Sequence, residues 1–177
     1  LVSACGEEGA AVDVVAIGQP DALFERGGRL SLPAQAMRGA TAEGLVGLAQ
    51  DGRIIAGVAD SWIVTEDGLS YIFRLRDGDW ADGSSITAES AKASLREAIG
   101  ALRGTPLALD LAAIAEIRAM TGRVVELRLS GTQPDLLMLL AQPELGLLRK
   151  GRGTGPMQAV RSGKLATLTQ ISPEKRG

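Results

Sequence analysis

Few residues of this chain could do chemistry, and their types exclude more reactions than they suggest. The 177 residues include no His, which removes Ser-His-Asp and Cys-His catalysis as well as His-ligated zinc. The single Cys, Cys5, excludes an internal disulfide and a thiolate cluster. Ser84 and Ser85 therefore have no histidine to activate them as nucleophiles. We predict that the chain is not an enzyme.

The segment 151–156 is the one most suggestive of ligand chemistry, because its glycines could cradle a phosphate. Its sequence is Gly-Arg-Gly-Thr-Gly-Pro. A phosphate loop would continue into Gly-Lys-Ser or Gly-Lys-Thr, which is missing here, and Pro156 lacks the N–H that a phosphate would need. We interpret this segment as a Gly-rich loop that does not bind phosphate.

Carboxylates are concentrated in residues 77–89, where Asp79, Asp82 and Glu89 could bind a cation. The spacing of residues 77–83 lacks the closing Glu and the full ligand set of an EF-hand. Two of the chain's Asp-Gly pairs fall in this stretch, and Asp-Gly marks tight turns. We interpret these carboxylates as turn residues and predict neither a metal nor a cofactor.

Aromatic and basic side chains offer two further candidates for binding. Trp62 and Trp80 could stack on a ligand, but a Trp beside a strand is more often part of the core. Arg149, Lys150 and Arg152 form the densest basic cluster, which we interpret as a solvated loop. The formal net charge is -2 and no basic stripe is present, so nucleic acid is not an expected partner.

The elements that must position these residues are best defined in the middle of the chain. Tyr71, Phe73 and Leu75 alternate with Arg74 and Arg76, which is the pattern of a half-buried strand. The same alternation recurs over residues 124–129. The other predicted elements are strands over residues 13–17, 61–65, 114–118 and 164–171, helices over residues 40–48, from Thr87 to Gly104 and over residues 135–141, and a loop over residues 19–33. Helices mixed with hairpin-connected strands predict an α/β (mixed α+β) fold.

The start of the chain resembles a bacterial lipobox. Val2 and two small residues precede Cys5, and signal peptidases require small residues before the cleavage site. Residues 7–11 are polar and small, as a tether would be. We predict lipidation of Cys5, and the alternative is a free Cys near the terminus.

Residues 43–99 carry a run of motifs in the order of a known family. The motifs are Glu-Gly-Leu at 43–45, Asp-Gly at 51–52, Ser-Trp at 61–62, DGLSYIFRLRDG at 67–78, WADG at 80–83 and ITAES at 86–90. This run resembles the signature of the family 5 extracellular solute-binding proteins, which serve dipeptide, oligopeptide and nickel importers. A strand-then-helix pair at 125–140 and Gly-Thr-Gly-Pro at 153–156 extend the resemblance over residues 12–171. Ala56, Ser90 and Met157 depart from the family's Pro, Asp and aromatic residue.

The resemblance implies the N-terminal lobe and subdomain of a type II (cluster C) periplasmic-binding-protein fold. It divides the chain into a lipobox and tether at 1–11, a first-lobe segment at 12–40, an α/β subdomain at 41–150 and a return to the first lobe at 151–177. Family members continue into a second lobe that closes over the ligand. We therefore expect this chain to be truncated before that lobe and to bind solute poorly by itself.

The resemblance also implies the substrate-binding component of an ABC importer. Such a protein binds a peptide or a similar small solute outside the cytoplasmic membrane and delivers it to a permease. We expect a monomer in the periplasm or at the cell surface, anchored to the membrane by lipid at Cys5. Asp21, Leu23 and Phe24 align with the segment that lines the family's cleft and are the candidate ligand-binding residues. The alternative is a degenerate single-lobe lipoprotein that acts as an adaptor or sensor without transport.

Overall fold

The computed structural model describes Gln19 and residues 21–171. Short 3-10 turns lie at Ala22–Phe24, Leu111–Ala113 and Pro143–Leu145. The α-helices of the described residues are α1 (Leu32–Thr41), α2 (Ala88–Ala101), α3 (Pro106–Asp110) and α4 (Leu136–Leu140). The strands are β1 (Val46–Leu48), β2 (Ile54–Ala56), β3 (Ala59–Val64), β4 (Ser70–Leu75), β5 (Ile114–Ala119), β6 (Val124–Leu129), β7 (Met157–Ser162) and β8 (Leu165–Gln170).

A four-stranded antiparallel sheet in the order β3-β4-β6-β5 forms the centre of the fold. Its middle strands pair Tyr71 with Leu127 and Phe73 with Val125. These four side chains are buried, whereas Arg74 between them is exposed. The predicted alternation is confirmed, and it gives the sheet one apolar face on which the core is built.

Helix α2 contributes to this core and begins where the sequence predicts. Ala91 and Leu95 belong to the same buried cluster as Phe73. At the N-terminus the Thr87 hydroxyl accepts a hydrogen bond from the Ser90 N–H at 3.2 Å, and the Ser90 hydroxyl accepts one from the Thr87 N–H at 2.9 Å. This reciprocal capping box satisfies two N–H groups that the helix itself cannot pair.

The two tryptophans belong to the core, as predicted. Trp80 is only 2% exposed, and its indole N–H donates to the Ser90 hydroxyl at 3.0 Å. Trp62 is partly buried and packs against the same cluster. A buried indole with a satisfied N–H stabilises the core, and it leaves little of the ring free to stack on a solute.

The prediction of a helix over residues 40–48 was wrong, whereas the predicted loop over residues 19–33 is confirmed except for the 3-10 turn at Ala22–Phe24 and its last two residues, which begin α1. The helix lies earlier, at Leu32–Thr41, because Pro33 stands in its first turn, where a missing N–H does no harm. Beyond Thr41 the chain is extended, and Val46–Leu48 pairs as a strand with β2. The last predicted strand is confirmed as β8, but its hairpin partner β7 was not predicted.

Two predictions fall outside the described residues, namely the strand over residues 13–17 and the lipidated Cys5. Within residues 21–171 the longest helix is α2, with 14 residues. None of the helices in this range combines the length and the apolar character that crossing a bilayer requires.

Candidate functional site

A groove of about 750 Å³ lies where distant parts of the chain meet. Ligand sites commonly have volumes of roughly 300–1,000 Å³. Its lining includes Leu23 and Phe24 from the first 3-10 turn, Met37, Arg38 and Thr41 from α1, Arg76, Asp79 and Trp80 after β4, Ser94 and Glu97 from α2, Glu144, and residues 151–155. The site therefore depends on tertiary packing rather than on any single motif.

The Gly-rich loop forms one side of the groove by packing directly against the end of α1. A Cβ built on Gly153 would lie 2.5 Å from the Cα of Ala42, and one built on Gly155 would lie 2.4 Å from the carbonyl carbon of Thr41. The Gly155 N–H also donates to the Thr41 carbonyl at 3.1 Å. Close backbone approach thus explains these glycines and supports the interpretation that the loop does not bind phosphate.

A half-buried ion pair connects the same loop to the central sheet. The Arg76 Nη2 lies 2.7 Å from the Glu43 Oε2, and each side chain is 24% exposed. The Thr154 hydroxyl donates to the same Glu43 oxygen at 2.9 Å, and the Arg76 Nη1 donates to the Gly57 carbonyl at 2.8 Å. Charge-assisted bonds of this kind are stronger than neutral ones. They fix Arg76 and Thr154, which both line the groove.

The carboxylate of Asp82 organises the turn at the other side. It accepts hydrogen bonds from the Ser84 N–H and hydroxyl, and it pairs with Lys150 at 2.9 Å and Arg149 at 3.3 Å. The Ser84 hydroxyl, and next to it Lys150, hold the pKa of the Asp82 carboxyl well below its usual range. Lys150 and Arg152 are exposed, as predicted, whereas Arg149 is half-buried, and Arg149 and Lys150 are both ion-paired with Asp82. Among the described residues, no three acidic, His or Cys side chains are grouped so that they could hold a metal ion.

The three residues predicted to bind ligand occupy different places. Leu23 and Phe24 line the groove, whereas Asp21 lies outside the lining and pairs with Arg161. The guanidinium carbon of Arg161 lies 4.1 Å from the centroid of the Phe24 ring, as in a cation–π contact. Arg161 thus holds the 3-10 turn against β7 and fixes Phe24 at the groove. The role of all three residues in binding remains a prediction.

Arg38 is a groove residue that the sequence analysis missed. It is half-buried in the last turn of α1, and a Cβ built on Gly146 would lie 3.4 Å from its Cδ. Burial lowers the pKa of the Arg38 guanidinium, Glu144 opposes this effect, and Arg26 adds to it. Residue 38 falls outside the helix predicted over residues 40–48, and its only sequence signal is its place near the end of α1.

Comparison with known proteins shows which proteins this chain is similar to. Residues 53–164 match the family model of the bacterial extracellular solute-binding proteins, family 5. A Brucella ovis protein, provisionally named an ABC transporter peptide-binding protein, is 29% identical over 89 residues, which are 50% of this chain and 17% of that protein. The Escherichia coli K12 protein YgiS, provisionally named a deoxycholate-binding periplasmic protein, is 30% identical over 121 residues, which cover 58% of this chain and 23% of its own length.

Solved structures establish the fold. The binding protein AgaA from Agrobacterium tumefaciens R10, in complex with agropinic acid, superposes with a TM-score of 0.68 at 23% identity, over 77% of this chain and 31% of that one. Listeria monocytogenes OppA bound to peptide gives a TM-score of 0.67 at 20% identity, over 80% of this chain and 36% of OppA. The predicted periplasmic-binding-protein fold of mixed α/β class is confirmed. With the family model matching more than half of its residues, this chain belongs to the bacterial extracellular solute-binding proteins of family 5.

Proposed function

We propose that this chain acts in solute capture for an ABC importer, outside the cytoplasmic membrane, and presents its ligand to a membrane permease. The observation that carries the proposal is that most of the residues lining the groove belong to the family-matched region, while the rest come from the segment of the 3-10 turn and α1 before it and from Ile171 after it. Arg76, Trp80, Ser94 and the 151–155 loop all line the groove and all fall within residues 53–164. Family membership and the groove thus point to overlapping parts of the molecule.

A short peptide is the first solute class to test. The Brucella relative is named for peptide binding, and Listeria OppA is bound to peptide. A groove of about 750 Å³ suits a solute of a few residues, and sites of this kind combine apolar walls with a small number of polar groups. YgiS, named for deoxycholate, makes a bile acid the second class.

Titration calorimetry tests this proposal on the protein at the length that its gene encodes. Mixed pools of di- to pentapeptides, and deoxycholate separately, serve as titrants. We expect saturable binding of one of the two, and Phe24→Ala should weaken it about tenfold because the ring lines the groove. Ile63→Ala is the control, since Ile63 is 66% exposed on β3 and does not line the groove. Absence of saturation with every titrant would refute solute capture.

We further infer the division of the chain and its attachment to the membrane. Residues 41–150 form the α/β subdomain, while residues 12–40 and 151–177 belong to the first lobe. The ion pair between Asp21 and Arg161 and the contact of Arg161 with the Phe24 ring support the joining of these two segments. Cys5 carries the lipid, and the protein acts as a monomer.

Cell fractionation tests the lipid anchor. The full precursor is expressed as wild type and as Cys5→Ser, and membrane and soluble fractions are compared. We expect the wild type in the membrane fraction and the variant in the soluble one, because several acyl chains are needed for stable anchoring. Equal distribution of the two proteins would reject the anchor.

A further inference from the structure

We propose that Arg38 and Arg26 form a carboxylate-binding subsite in the groove, and that the captured solute is a small molecule with a free carboxylate. This inference deepens the proposed function, on which it rests, because it names the chemical class that the same groove would take. It concerns a residue pair that no motif of the sequence brought out.

The first observation is that both guanidinium groups lack a partner. Within residues 21–171, neither the Arg38 nor the Arg26 side chain makes a hydrogen bond or an ion pair. Both line the groove, where Arg38 is half-buried and Arg26 is exposed, so the cost of desolvation falls on Arg38. A partly desolvated charge without a partner is unfavourable. A bound anion would supply the missing partner.

The second observation is that the two cations lie close enough to affect each other. The charge of Arg26 adds to burial in lowering the pKa of Arg38, and Glu144 is the carboxylate that opposes this. Glu144 is itself engaged, because its Oε1 accepts a hydrogen bond from the Gln35 side chain at 3.0 Å. That donor is a neutral amide, so Glu144 keeps its charge, and Glu25, Asp79 and Glu97 are further carboxylates in the groove lining, but within residues 21–171 none of them forms an ion pair with Arg38 or Arg26.

The third observation is the space around Arg38. Gly146 lies beside the aliphatic part of the Arg38 side chain. A Cβ built on Gly146 would lie 3.4 Å from the Arg38 Cδ. The same Cβ would lie nearer still to the Ala42 Cβ and the Pro143 carbonyl oxygen, each at 3.1 Å, so the glycine permits close packing of this turn on α1 as well as contact with Arg38. The planar fork of a guanidinium matches the two oxygens of a carboxylate better than an ammonium does.

A simpler explanation is that Arg38 complements the dipole of α1, since it stands in the last helical turn. The dipole requires only a positive charge, so Lys would serve equally well. The dipole explanation also leaves the neighbouring Arg26 without a role. Arg38→Lys consequently separates the two explanations.

The experiment uses matched acid and neutral titrants on the gene-length protein. One pair consists of two di- to pentapeptide pools that differ only in C-terminal amidation, and the other is deoxycholate with the alcohol obtained by reducing its carboxylate. We expect the acid of one pair to bind about 10- to 100-fold more tightly than its neutral partner, the size of one charge-assisted contact. The pair that shows this preference identifies the source of the carboxylate.

Variants then assign the preference to Arg38. We expect Arg38→Met to remove the preference for the acid, Arg38→Lys to remove most of it, and Arg26→Met to reduce it several-fold. Arg74→Met, an exposed position on β4 outside the groove lining, should leave it unchanged. Unfolding midpoints of all variants are measured alongside, and Arg38→Lys retains the charge at the end of α1.

The outcomes separate this inference from the proposed function. If solutes bind but acid and neutral forms bind equally, or if Arg38→Met keeps the preference for the acid, the subsite is refuted while solute capture stands. If no titrant binds to the wild type, solute capture is refuted and the subsite falls with it. If Arg38→Lys binds the acid as well as the wild type does, the guanidinium fork is not required and the subsite assignment is wrong.

Discussion

Replacing Gly155 with Ala tests whether the 151–155 loop is held against α1 by direct backbone contact. The new Cβ would lie 2.4 Å from the Thr41 carbonyl carbon, 2.5 Å from the Ala42 nitrogen and 2.8 Å from the Ala40 oxygen. All three atoms belong to the backbone, so no side-chain rotation can relieve the overlap. The loop must instead move away from the helix.

The size of the effect follows from these distances. Restoring ordinary contact requires a displacement of about 1 Å, and interiors are packed too tightly to absorb it freely. Overpacking of this kind costs about 1–3 kcal/mol. The same movement lengthens the bond from the Gly155 N–H to the Thr41 carbonyl, now 3.1 Å, and its loss adds about 1 kcal/mol. We expect Gly155→Ala to lower the free energy of unfolding by about 2–4 kcal/mol.

Urea unfolding followed by circular dichroism measures this change as a lower midpoint at an unchanged slope, a shift of about 1–2 M. Gly100→Ala is the matched control. Gly100 lies within α2, and a Cβ built on it would meet no neighbouring atom within 4 Å. That substitution should stabilise the protein by about 0.5–1 kcal/mol, since Ala favours helix more than Gly does. A Gly155→Ala midpoint equal to that of the wild type would refute the close-contact explanation of the loop.

Three further substitutions test the core, the helix cap and the Asp82 turn. Phe73→Ala should lower the free energy of unfolding by about 3–5 kcal/mol, because Phe73 is fully buried in the middle of the sheet. Thr87→Ala should lower it by about 1 kcal/mol through loss of the capping bond to Ser90. Asp82→Asn should destabilise the protein at neutral pH, because a carboxyl whose pKa is lowered in the folded state stabilises above its unfolded pKa of 3.8. The difference from wild type should shrink as the pH falls below that value.

Each of these expectations has an opposing result in the same unfolding assay. An unchanged midpoint for Phe73→Ala would overturn the placement of β4 in the core. For Thr87→Ala, a loss no larger than that of an exposed substitution such as Arg74→Ala would show that the cap contributes nothing. A difference between wild type and Asp82→Asn that is the same at pH 7 and at about pH 3 would exclude the ionised carboxylate as its cause.

The central sheet could be predicted from the sequence, because its signals are local. Alternation at Tyr71, Phe73 and Leu75 determines which face is buried, and Thr87 marks the start of α2 through a bond that spans three residues. The helix α1 and the strand β1 before residue 50 could not be predicted in this way. There the choice between helix and extended chain depends on contacts with distant partners, such as the pairing of Val46–Leu48 with β2 and the packing of the 151–155 loop on Ala42.

The groove was only partly predictable for the same reason. The family resemblance led to Leu23 and Phe24, which do line it, and to Asp21, which is paired with Arg161 instead. Arg38 carries no sequence signal beyond its place near a helix end. Its lack of a partner becomes visible only when the fold brings α1 beside residues 144–146.

The strand order has a consequence for how the chain reaches its folded state. The hairpins β3–β4 and β5–β6 each join neighbouring segments, whereas the β4–β6 pairing must bring Arg74 and Val124 together across an intervening chain that contains α2 and α3. Hairpins form in about 1–10 μs, while closing a long loop carries a larger entropy penalty. We expect the two hairpins to form early and independently. The pairing of β4 with β6, at residues such as Phe73 and Val125, should then limit the folding rate. Substitutions that weaken the pairing of β4 with β6 should slow folding, whereas substitutions on the outer strand β3 should mainly speed unfolding.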